Sequence, residues 1–168
     1  MKTALLFDFS VNRENNTIHV TRAFDADAEL VWKAWTTAEL LDQWWAPQPY
    51  RNQTKSMDFR EGGVWHYSMI SPENETHWCR FDYEKIVPHE SYSGFDAFCD
   101  EAGNINTGFS RMHWENVFSQ SAEHTTVTIT ITMDTLETLE KIIAMGFKEG
   151  FTMGLNQLDE LLSNLKKQ

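Results

Sequence analysis

Residues 126–133 alternate strictly: Val127, Ile129, Ile131 and Met133 stand between Thr126, Thr128, Thr130 and Thr132. Successive strand residues point to opposite faces, so this run has one apolar face and one that can meet water. A sheet built from it must be covered on one side. The cover follows at once. Leu136, Leu139, Ile143, Phe147, Phe151, Leu158, Leu161, Leu162 and Leu165 recur at threes and fours, the spacing of an amphipathic helix. Read as one helix over 136–165 it would be ~45 Å long, enough to cross a whole sheet. Lys166 and Lys167 then suit its C-terminal end.

The rest of the chain supplies the sheet. Residues 4–10 and 17–24 read as two strands around the polar stretch Asn12-Arg13-Glu14-Asn15-Asn16, which predicts an N-terminal hairpin. Asp27 suits a helix cap, and Val31, Ala34 and Trp35 keep helical spacing, so a helix is expected over roughly 27–36. A second short helix over 37–45 stops ahead of Pro47. From residue 54 to 133 successive strands are interrupted at Gly62-Gly63, Ser71-Pro72-Glu73-Asn74, Pro88-His89, Asp100 to Asn104 and Ser121-Ala122-Glu123, as in an antiparallel meander. No repeat or linker divides the chain, so residues 1–168 are expected to form one α+β domain.

Composition limits the partners. A formal net charge of −11 opposes docking on nucleic acid or an acidic membrane surface. No segment approaches the ~20 apolar residues of a membrane-spanning helix, and the run Met1 to Asp8 is too short for a signal peptide. Cys79 and Cys99 lack CxxC or zinc-like spacing, so two reduced thiols in a cytoplasmic protein are expected. His19, His66, His77, His89, His113 and His124 show no HxH, HxxxH or HExxH spacing, and no metal or other cofactor is expected. Nor is there a GxSxG, P-loop or GxGxxG motif.

What remains is an aromatic, sulfur-rich interior. Trp65, Tyr67 and Met69 share a parity, as do Cys79, Phe81 and Tyr83, so each trio points to one face. Gly146, Gly150 and Gly154 lie four apart in the expected long helix, each costing about 1 kcal/mol against alanine. The row serves either close approach to the sheet or a groove beside Met145, Phe147 and Phe151. Of the pair Trp44-Trp45, one ring is expected inside the core and one at its rim. The polar candidates are Arg60, His66, His77, Arg80, Asp82, Arg111, His113 and Glu115, most of them expected on solvent-facing strand positions.

The order hairpin, two short helices, meander, long helix resembles the helix-grip fold of the START-like, or Bet v-like, SRPBCC superfamily. Ile18 to Ala26, Val31 to Thr36 and Leu41-Asp42-Gln43-Trp44-Trp45-Ala46-Pro47 resemble the opening of the activator of heat-shock protein 90 ATPase homologue family. The resemblance continues through Met57 to Trp65, Tyr83 to Pro88 and Gly146 to Phe151. The sequence departs from the family in carrying Phe81 where glycine is frequent, and in lacking the extra N-terminal domain of the family's cochaperones. The resemblance implies a curved antiparallel sheet wrapped around the last helix, with a cavity that relatives use for lipids, hormones, polyketides or unidentified small molecules.

Three functions follow as expectations. The first is binding of a small hydrophobic molecule by Trp65, Tyr67, Met69, Phe81, Phe147, Gly150, Phe151 and Gly154, with no assigned catalytic residue. The second is a cyclase- or hydrolase-like enzyme, for which His66, Arg80 and Glu115 would have to converge in the cavity. The third is an interaction module, serving a chaperone in a stress response or pairing as a homodimer through exposed Trp44 or Trp78.

Overall fold

A computed structural model describes residues 5–167; Ala4, the expected start of the first strand, and the residues before it lie outside. The hairpin is β1 (Phe7–Asn12) and β2 (Thr17–Phe24), followed by α1 (Ala28–Thr36) and α2 (Ala38–Trp44). The meander is β3 (Arg51–Met57), β4 (Val64–Ile70), β5 (Thr76–Val87), β6 (Ser91–Phe98), β7 (His113–Ser121) and β8 (His124–Thr132). The chain ends in α3 (Leu136–Ala144) and α4 (Phe147–Lys166). All eight strands form one antiparallel sheet in the order β1-β2-β8-β7-β6-β5-β4-β3. It is the expected helix-grip α+β arrangement.

Local chemistry fixes the ends of the elements. The Asp27 carboxylate accepts from the Leu30 N–H at 2.9 Å and starts α1, and Thr135 caps α3 by accepting from Thr138 N–H. The final helix is not continuous. Gly146 takes φ = +89° between α3 and α4, a left-handed conformation that glycine adopts without a Cβ clash. The expected 30-residue helix is therefore two, and α4 alone, with 20 residues, runs about 30 Å along the sheet.

Register sorts the side chains. Ile18 lies opposite Ile131, Val20 opposite Ile129, and Ile131 in turn opposite Trp114. Partners directly opposite share a face, so these residues, with Trp65, Tyr67, Phe81 and Tyr83 farther along, make the inner wall. Leu155, Leu158 and Leu162 of α4 pack against it, as do Val31, Trp32, Trp35, Leu41 and Trp44 of the two short helices.

Candidate functional site

The segment from Trp44 to Gln48 is bolted onto α4. Gln157 Nε2 donates to the carbonyls of Trp44 and Ala46, each at 2.9 Å, and Gln157 Oε1 accepts from Gln48 N–H at 2.9 Å. A Cβ on Gly154 would stand 3.4 Å from the Trp44 carbonyl oxygen and 3.5 Å from that of Trp45, and one on Gly150 would stand 3.8 Å from Pro47 Cγ. The glycine row thus divides its work. Gly146 breaks the helix, while Gly150 and Gly154 face the segment that enters beside them.

That segment carries Trp45 into the middle of the interior. Its ring centroid lies 5.7 Å from Trp65, 5.8 Å from Trp114 and 6.2 Å from Phe151. It also touches Trp35 and Trp44 edge to face, the geometry that aromatic quadrupoles favour. Trp45 therefore spans the gap between the sheet and α4. Trp32, Trp35, Trp44, Trp65 and Trp114 are buried, whereas Trp45 keeps contact with solvent. This matches the expectation of one buried ring and one at the rim. It removes Trp44 as an exposed contact, since that ring is 1% exposed and donates its Nε1–H to the Ala34 carbonyl.

A strip of polar atoms runs through this aromatic wall. Trp45 Nε1–H donates to the Tyr67 hydroxyl at 3.2 Å, and the Tyr67 hydroxyl lies beside Cys79. On β6, Asp96 stands opposite Phe81 and so faces inward. Its Oδ2 accepts from Trp114 Nε1–H at 2.9 Å and its Oδ1 from Met112 N–H at 2.8 Å. Burial pushes the Asp96 carboxyl up to about 6 against these two donors, because a low-dielectric setting disfavours the charged form. Burial likewise pushes the Cys79 thiol up to about 12 and raises the Tyr67 phenol, so both stay protonated at neutral pH.

Trp65, Tyr67 and Phe81 lie together on the inner wall, with Met69 at the same parity and partly exposed. Trp65 and Tyr67 stack at 3.9 Å. Phe147 and Phe151 stack at 5.4 Å on α4 and meet Trp114 edge to face. The Phe81 ring lies across Gly94, where an added Cβ would fall 2.5 Å from Phe81 Cε1.

The polar candidates read from the sequence lie elsewhere. His66 and Arg80 are cross-strand partners on the outer face, beneath the turn after β6. His66 Nε2 lies 3.1 Å from the Asp100 carbonyl, and Arg80 binds Asp82 through two nitrogens and the Gly103 carbonyl through a third. Glu115 is exposed on β7 opposite Thr130. These three do not converge in the interior. Arg111 holds Asp82 at 2.9 Å and His113 holds Glu84 at 3.0 Å, again outside. Arg60 pairs with Asp58 in solvent, His77 lies beside Tyr50, and Trp78 is half-buried beside His66. Among the described residues no His, Cys, Asp and Glu are grouped to hold a metal, and no helix is long and apolar enough to cross a membrane. Asp96 was missed. Strand parity groups Asp96 with Tyr92 and Gly94, and the pairing of β6 with β5 turns that group inward.

Comparison with known proteins supplies the context. The sequence profile described as "Activator of Hsp90 ATPase homolog 1-like protein" matches residues 25–163. A Mycobacterium smegmatis crystal structure is 26% identical over 95% of this chain and 97% of its own, with a TM-score of 0.85. Solution structures from Arthrobacter aurescens (25% identity, 94% and 91% covered, TM-score 0.88) and Staphylococcus epidermidis (28%, 92% and 94%, 0.82) are similar throughout. No functionally curated protein matches the sequence.

Proposed function

Because this chain belongs to the family of homologues of the activator of Hsp90 ATPase 1, we propose that it uses the helix-grip frame to bind a small hydrophobic molecule between the sheet and α4. Trp65, Tyr67, Met69 and Phe81 form the sheet side of the site, and Phe147 and Phe151 the helix side. Gly150 and Gly154 act one step removed, by seating the Trp44 to Gln48 segment.

The observation that carries this reading is Trp45. A side chain that belonged only to the core would be sealed like its five buried counterparts. Trp45 instead occupies the middle of the interior, keeps a solvent-facing edge and is tied at its polar end by a single hydrogen bond to Tyr67. A ring so placed can swing out as an apolar ligand takes its place, exchanging one set of aromatic contacts for another. The space between sheet and helix then opens without moving the strands.

Native mass spectrometry of the protein purified from its own cells tests this. A reproducible added mass of a few hundred daltons, lost on denaturation, is expected. Bare protein from several growth conditions, together with no shift of tryptophan fluorescence on titration with apolar probes, would overturn the proposal.

A further inference from the structure

We propose that the ligand carries a protonated amine, held by the inward-facing Asp96 carboxylate beside the aromatic wall, so that the site selects hydrophobic cations over neutral or acidic molecules of the same shape. The inference rests on the ligand-binding reading above and specifies its chemistry.

The carboxylate faces inward, is half-buried and is only partly satisfied. Two oxygens offer about four acceptor positions, and two are taken, by Trp114 Nε1–H and Met112 N–H, both neutral donors. Among the described residues no lysine, arginine or histidine forms an ion pair with it. The Arg111 guanidinium acts on it only through space, its hydrogen bonds going to the Asp82 carboxylate and the Phe95 and Asp96 carbonyls. A buried carboxylate is costly unless it is paired or further hydrogen-bonded. An ammonium N–H from a ligand would supply both, as a charge-assisted bond roughly twice as strong as a neutral one.

The surrounding walls suit the same charge. Trp114, which donates to Asp96 through its edge, turns its ring toward Trp45 and Phe151 at 5.8 and 5.6 Å. Tyr67 stacks on Trp65 next to them. Faces of tryptophan and tyrosine attract cations through their quadrupoles, most strongly where water is excluded. A carboxylate- or phosphate-headed lipid would meet Asp96 as a like charge in low dielectric, where repulsion is least screened. The net charge of −11 also draws cations toward the molecule and holds anions off.

The test compares dodecylammonium, dodecanol and dodecanoate, each below its micellar concentration, by isothermal titration and tryptophan fluorescence on the full chain. Dodecylammonium is expected to bind at one site at least about tenfold tighter than dodecanol, the gap of one charge-assisted hydrogen bond, with dodecanoate weakest. Asp96→Asn should bring the ammonium affinity down to that of the alcohol and leave the alcohol unchanged. A general attraction to the acidic surface would survive that substitution, and its survival would overturn the proposal. Equal binding of ammonium and alcohol by the wild type would also overturn it while leaving the hydrophobic site standing. Failure of all three probes to bind would remove both. If Asp96→Asn does not fold, the wild-type comparison repeated at about 1 M salt decides: a preference for the ammonium that persists supports the Asp96 contact, and one that disappears marks attraction to the acidic surface and overturns it.

Discussion

The two halves of the inner wall are built of different material. Under β2 and β8 the wall is aliphatic apart from Phe24: Ile18, Val20, Val127, Ile129 and Ile131 are completely buried in one cluster with Leu155, Leu158 and Leu162 of α4. Under β4, β5, β6 and β7 it is aromatic, and Trp65, Tyr67, Phe81 and Trp114 share their space with Asp96, Cys79 and the partly exposed Trp45. Branched aliphatic side chains interlock and tolerate little change in volume. Flat rings can slide, tilt and admit another ring. The first half holds the fold together, and the second is the half proposed to admit a ligand.

This contrast can be broken by substitution. Ile129→Ala, in the sealed half, is expected to cost about 2–5 kcal/mol in chemical denaturation and to leave the relative affinities of apolar probes unchanged. A change in ligand preference from that substitution would mean the halves are not separate.

A smaller effect should come from Asp96. The free carboxyl titrates at about 4, and burial pushes it up to about 6 in the folded chain. The native state therefore holds the proton more tightly, so this contribution to stability is full below about pH 4 and is lost as pH rises through about 6. The loss is on the order of 3 kcal/mol. Tyr67 and Cys79, both kept protonated by burial, and the Arg111 guanidinium are its titratable neighbours. Denaturation series for wild type and Asp96→Asn should accordingly diverge with pH: the wild type loses ground to the variant between about pH 4 and 6.5, then runs parallel. Parallel curves throughout would place the carboxylate in water rather than in the wall.

The smallest effect concerns the glycines. Gly150→Ala would place its methyl 3.8 Å from Pro47 Cγ, an ordinary contact, and should stabilise the protein by about 0.5–1 kcal/mol through helix propensity. Destabilisation would mean that the Trp44 to Gln48 segment sits tighter on α4 than its geometry indicates.

Periodicity made the frame legible. The threonine-valine-isoleucine alternation placed β8 and its buried face, and the capping Asp27 placed α1 within a residue. The resemblance carried by Leu41 to Pro47 pointed to the family. The break at Gly146 was hidden because the apolar spacing continues across it, and only the backbone conformation interrupts the helix. Asp96 was hidden for another reason: an acidic residue after Ser93-Gly94-Phe95 reads as a solvent-facing strand position, and its inward direction depends on pairing with Phe81. His66 and Arg80 drew attention by their chemistry, yet their register puts them beneath an outer turn.

The difference between the sealed and the exchangeable half is tested most directly by hydrogen exchange of the tryptophan indole N–H groups, followed residue by residue by NMR. Trp44 Nε1–H, donating to Ala34 in the buried layer, should exchange only through global unfolding. Trp45 Nε1–H, donating to the inner-wall Tyr67 from a ring that keeps a solvent-facing edge, should exchange at least about a hundredfold faster, through local opening that leaves the sheet intact. Equal protection of the two would contradict the proposal that Trp45 is a movable plug.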